Sequence, residues 1–73
     1  MVLEKLIALI CDEFGLDESE IDEDTLLEGI VSDEFEMQEL VSAIESEFEI
    51  ELGVEPGDEW SIGELAEAVS EAY

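Results

Sequence analysis

Carboxylates are almost the only groups in this sequence that could do chemistry. Asp33, Glu34, Glu36, Glu39, Glu45 and Glu47 fall within one short stretch, and Ser32 sets a hydroxyl directly before them. General acid–base catalysis needs one carboxylate held in an apolar pocket with a raised pKa. No acid pair here stands apart from its neighbours in that way, and with no His, no Arg and the single Lys5 there is no nucleophile–base pairing either. The chain is therefore expected not to be an enzyme. A calcium loop fits poorly. The window from Asp17 to Glu28 has an acid at each end, but Ile21 stands at the third ligand position and Asp22 where the turn needs glycine. The window from Asp22 fails at Leu26 and Leu27. Zinc of the Cys/His kind is excluded, since Cys11 is the sole cysteine. No defined metal site is expected, only loose divalent binding by clustered acids.

The remaining chemistry of such groups is attraction for cations. Asp and Glu number 24, for a formal net charge of −23 over 73 residues. Self-repulsion at that density destabilises the compact state and is relieved by salt. Nucleic acid and anionic membranes are disfavoured as partners; basic protein surfaces are favoured. Solubility alone needs far less charge. Charge by itself also fits an acidic mimic of nucleic acid that blocks a DNA-binding protein.

The elements that must position these acids are helical. Apolar residues make up 47% of the chain, too many for disorder. The length suits one small domain, residues 1–73, expected to be monomeric. Val2 to Phe14 reads as a first helix, with Leu3, Leu6, Ile7, Ile10 and Phe14 on one face and Gly15 placed to end it. Cys11 is expected as a small buried hydrophobe. Residues 16–32 form a long acidic connection punctuated by Leu16, Ile21, Leu26, Leu27, Ile30 and Val31. So many aliphatics predict an ordered loop pinned to the core, with a short turn near Ser19–Ile21 and turn residues at Thr25 and Gly29.

The central helix is expected from about Asp33 to Glu49. Met37, Leu40, Val41, Ile44 and Phe48 repeat at helical spacing, and the acids between them predict an opposite face walled with carboxylates. Asp33 is the expected cap, and Glu36 can complete a capping box. Ile50 and Leu52 should tuck inward on an extended exit. Gly53 to Asp58 is a turn region, and Asp58–Trp60 is expected to form a short helical turn. A last helix starts at Ser61, with Glu64 completing a second box and Ile62, Leu65, Ala66, Val69 and Tyr73 buried. The predicted fold is all-α: three main helices, a short turn of helix and a long first loop. No segment has the length of a membrane span and no secretory signal is evident, so a cytoplasmic protein is expected.

From Phe35 to Leu52 the sequence resembles the acyl carrier protein family, including aminoacyl and peptidyl carriers. Glu39-Leu40-Val41, Ala43-Ile44-Glu45 and Glu47-Phe48 look like that family's recognition helix. Phe14-Gly15-Leu16, Leu26-Leu27-Glu28-Gly29-Ile30-Val31 and Trp60-Ser61-Ile62-Gly63-Glu64-Leu65 extend the resemblance over nearly the whole chain, and Glu59-Trp60 is similar to the D-alanyl carriers. The resemblance implies a four-helix bundle of the carrier type and a role in fatty acid, polyketide, peptide or D-alanine chemistry. It also implies an Asp-Ser dipeptide at the head of the central helix, whose serine takes phosphopantetheine. Without gaps, Asp33 falls on the aspartate and Glu34 on the serine. A frame set from Gly29 puts Asp33 on the serine instead. Two alternatives follow. The docking surface of Asp33, Glu34, Glu36, Met37, Glu39, Glu45 and Glu47 persists for basic partner enzymes without the prosthetic group, or Ser32 carries phosphopantetheine.

Overall fold

A computed structural model describes residues 2–73. Helix α1 runs Val2–Phe14, the span its periodicity predicts. Leu6 and Ile10 are fully buried, while Leu3, Ile7 and Phe14 pack partly exposed against the same core. Gly15 ends the helix at φ +69, and a Cβ there would meet nothing within 4 Å, so glycine serves the left-handed backbone rather than a tight space. The Leu16 amide then closes the helix end by donating to the Cys11 carbonyl at 2.9 Å.

The first loop is ordered and interlocked, as its aliphatics predict. Asp17 caps a 3-10 turn at Glu18–Glu20, accepting the Ser19 amide at 3.0 Å and the Ser19 hydroxyl at 3.1 Å. Both bonds favour the ionised form and hold the Asp17 carboxyl below its ordinary value. A second 3-10 turn, Leu27–Gly29, drives Leu27 to zero exposure and Val31 to 6%. The loop then bonds to the segment leading into the last helix. Leu27 donates to the Trp60 carbonyl at 2.8 Å and Glu28 to that of Asp58 at 3.0 Å. In return Ile62 donates to Thr25 at 2.9 Å and Gly63 to Glu23 at 2.8 Å.

Helix α2 spans Glu34–Phe48 and helix α3 spans Ile62–Ala72, with α1 packed against both. The core draws on all three helices and the loop: Leu6, Ile10, Leu27, Leu40, Ile44, Ile62, Leu65 and Val69 are fully buried. The Ser61–Glu64 capping box forms in both directions. At its end α2 leaves through Glu49 in the left-handed region, φ 56. The Glu45 carboxylate accepts the Leu52 amide at 2.9 Å, which folds Ile50 and Leu52 back against the core.

Two expectations change. The helical turn predicted at Asp58–Trp60 is a plain turn, closed by the Trp60 amide on the Gly57 carbonyl at 3.1 Å. The Asp58 carbonyl accepts the Glu28 amide, and the Ile62 amide that a helix would return to it donates to the Thr25 carbonyl instead. Among the described residues there are thus three α-helices, and both short helical turns lie in the first loop. Tyr73 lies beyond α3 and is 69% exposed, not part of the buried stripe. It meets Phe48 edge-on, with ring centroids 5.8 Å apart. Lys5 places its ammonium 5.1 Å from the centroid of the same Phe48 ring.

Cys11 is buried at 8% exposure, as expected. Burial first, and then the negative charges of Glu18, Asp17 and Glu20, push its thiol pKa up. A thiol raised on folding adds stability that is full below its unfolded value of about 8.5 and is lost as pH rises through the folded value. Two outcomes are expected. Ellman's reagent at pH 8 should label Cys11 slowly in native protein and at the normal thiol rate in urea. Leu27→Ala should cost about 2–5 kcal/mol in urea unfolding, whereas Leu26→Ala, at a site 42% exposed, should cost about 0.5 kcal/mol or less.

Candidate functional site at the head of helix α2

The first turn of α2 is set by two acids. Asp33 is extended, φ −150 and ψ 176, and its Oδ1 accepts the Glu36 amide at 2.9 Å. Carboxylates at this end also meet the positive end of the helix dipole. The predicted reciprocal bond is displaced by one residue: the Glu36 carboxylate passes the Asp33 amide and accepts that of Ser32. Ser32 is therefore tied by its backbone in front of the helix, with its side chain exposed, while Glu34 is the first helical residue and is exposed.

The face opposite the core is not a wall of carboxylates. Leu40, Ile44 and Phe48 define the buried line, with Met37 and Val41 half-buried beside it. The outward line is Phe35, Gln38, Glu39, Ser42 and Ser46, all exposed, with Glu39 its only acid. The other acids flank the buried line. Glu34 and Glu45 lie three turns apart on one side, and Glu36 and Glu47 three turns apart on the other. Glu36 and Glu45 are each engaged by a backbone amide, so Glu34, Glu39 and Glu47 are the expected docking acids that have no such bond.

Beside Glu34 the helix head and the 53–58 loop enclose a cleft of about 240 Å³, lined by Val31, Ser32, Asp33, Glu34, Met37, Pro56 and Asp58. It continues into a second section of about 290 Å³ past Val41, Gln38 and Glu55. A larger groove of about 700 Å³ lies between the start of α1 and α3 and includes no α2 residue. Sequence reasoning missed Pro56 and Asp58 because a loop distant in sequence supplies them. It also missed Phe35, 71% exposed, whose signal was legible: a phenyl ring off the apolar stripe of its own helix. Among the described residues no three acidic or cysteine side chains are gathered closely enough to hold a metal ion. No helix among them is long and apolar enough to cross a membrane.

These features define a small, acidic, three-helix protein whose second helix presents a carboxylate-capped head beside an open cleft. No protein-family model matches the chain. No solved structure matches it. A protein named acyl carrier protein, from Clostridium acetobutylicum, is 36% identical over 62 residues, covering 84% of this chain and 80% of that relative. The chain belongs to the acyl carrier protein family.

Removing the cap tests the helix head. Asp33→Ala should destabilise the protein by about 1 kcal/mol in urea unfolding, while Asp33→Asn, which keeps a capping oxygen, should cost a few tenths.

Proposed function

We propose that this chain is a carrier-protein-like docking module. It presents the flanks of α2 to basic surfaces of partner enzymes in an acyl- or aminoacyl-transfer pathway, and it works without phosphopantetheine. The observation that carries this is the residue at the helix head: Glu34 is the first residue of α2, directly after its Asp33 cap. A phosphodiester link needs a hydroxyl. A carboxylate in its place would give a labile acyl phosphate. The surroundings weigh the same way, since Asp33, Glu34 and Asp58 line the adjacent cleft and would repel a phosphate. The chain has no catalytic role in this account. It acts as a monomer in the cytoplasm, and nucleic acid and membranes are not its partners.

Docking would rest on long-range attraction followed by short-range fit. A net charge of −23 steers basic patches toward the chain at rates that fall steeply with salt. Glu34, Glu39 and Glu47 supply local charge, and the exposed Phe35 offers an apolar anchor between them. Met37, half-buried, lies at the rim of such a contact.

A second reading keeps the carrier chemistry at Ser32, whose side chain is exposed and borders the same cleft. Against it, Ser32 precedes the cap, and its amide is held by Glu36. The two separate by mass. After incubation with coenzyme A and a promiscuous phosphopantetheinyl transferase, the wild-type chain should keep its mass, and Glu34→Ser should gain one phosphopantetheine. A gain by the wild type that disappears in Ser32→Ala would overturn the docking-only function.

A further inference from the structure

We propose that residues 53–57 form a hinged strap over one flank of α2, and that the Glu45 carboxylate is the latch that keeps it shut. Glu45 is then a positioning residue rather than a docking charge. Only the purpose of the strap rests on the docking function above: once open, it adds the apolar flank of Met37 and Val41 to the contact face.

The strap is held at its ends and not along its length. In front of it the Glu45 carboxylate accepts the Leu52 amide at 2.9 Å, a charge-assisted bond. At its rear the Gly57 carbonyl accepts the Trp60 amide at 3.1 Å and the Asp58 carbonyl accepts the Glu28 amide at 3.0 Å. Between these points the amides of Gly53, Val54, Glu55 and Gly57 donate to no protein group among the described residues, and Pro56 has no amide hydrogen. Packing holds the strap little better. Of its five residues Pro56 alone is buried, and Val54 is 51% exposed. Segments with so few bonds and buried contacts are the first to open. A hinge stands at the front. Glu49 takes the left-handed region at φ 56, a strained setting for a residue other than glycine, and a Cβ at Gly53 would meet nothing within 4 Å. The latch also differs from the other acids of α2. Glu45 is half-buried, whereas Glu34, Glu39 and Glu47 are exposed. Finally, the strap walls both sections of the cleft. Pro56 and Met37 line each section, and Glu55 and Val41 line the second. Swinging the strap outward bares Met37 and Val41, which are half-buried while it is shut.

The test uses the whole chain with no partner present. Two NMR readings are taken: exchange of the Leu52 amide with solvent, and broadening of the Met37 and Val41 methyl signals by a neutral, freely diffusing nitroxide. Glu45→Ala should speed Leu52 exchange about tenfold or more. It should also broaden Met37 and Val41 more strongly, while Leu40, Ile44 and Leu65 in the core keep their wild-type signals. Glu45→Gln keeps an acceptor oxygen and should stay near wild type in both readings. Glu47→Ala, an exposed acid on the same helix, should change neither. Gly53→Ala stiffens the hinge and should slow Leu52 exchange about twofold to fivefold. Equal broadening of the core residues in Glu45→Ala would mean general loosening of the fold and would overturn the proposal. Faster Leu52 exchange with no added exposure of Met37 and Val41 would show a bond that holds no strap. A Glu45→Gln chain that behaves like Glu45→Ala would show that the charge matters and the bond does not. Unchanged exchange in Gly53→Ala would remove the hinge. Each of these three results overturns the proposal as well. None of the readings involves a partner or the transferase, so the strap can fail while the docking function stands, and the reverse.

Discussion

Carboxylates in this chain have almost no cations to pair with, and that shortage governs the structure. A fold with 24 acids and one lysine cannot use ion pairs to settle its acids. It uses backbone amides instead. Asp17, Asp22, Asp33, Glu36, Glu45 and Glu64 each accept an amide hydrogen, most of them at a helix or turn start where amides are otherwise unpartnered. No charged or polar residue among those described is buried, so no acid bears the full cost of desolvation. The Lys5 ammonium meets an aromatic face rather than a carboxylate.

The core answers the same repulsion from inside. Its residues come from all three helices and from the first loop, so the acidic segments are held apart on the surface while Leu27 and Val31 reach inward. The radius of gyration is 10.8 Å, against about 11 Å for a compact chain of this length, so repulsion does not swell the fold. The exchange of amides between the first loop and the approach to α3 ties those two segments together. It also explains why the segment before α3 is not helical, although its sequence admits a turn of helix.

At the head of α2 the same economy shapes the candidate site. Glu36 is used to hold Ser32 and Glu45 to hold Leu52, which leaves Glu34, Glu39 and Glu47 as acids with no such internal bond. The outward line of the helix is mixed, with Phe35 exposed among Gln38, Glu39, Ser42 and Ser46. Family membership supplies the general setting of carrier proteins. Within this chain, Glu34 stands at the first position of the helix.

Much of this was legible in the residues. The three-and-four spacing of Leu6 and Ile10, of Leu40, Ile44 and Phe48, and of Ile62, Leu65 and Val69 determined three helices and their inward faces. Gly15, Asp33 and Ser61 determined where those helices begin or end, because caps act within one turn of the chain. Tertiary structure decided what depends on distant partners. Tyr73 keeps the helical bond of its amide to the Val69 carbonyl, yet its ring lies 69% exposed against the edge of Phe48 rather than in the core. Asp58–Trp60 stays unwound because the Ile62 amide, which a helix would return to Asp58, bonds to Thr25 in the first loop. Pro56 and Asp58 share a cleft with Glu34 because the 53–58 loop borders the helix head. Periodicity reports which side of a helix turns inward. It carries no record of which remote segment covers the edge, and the cleft lies at that edge.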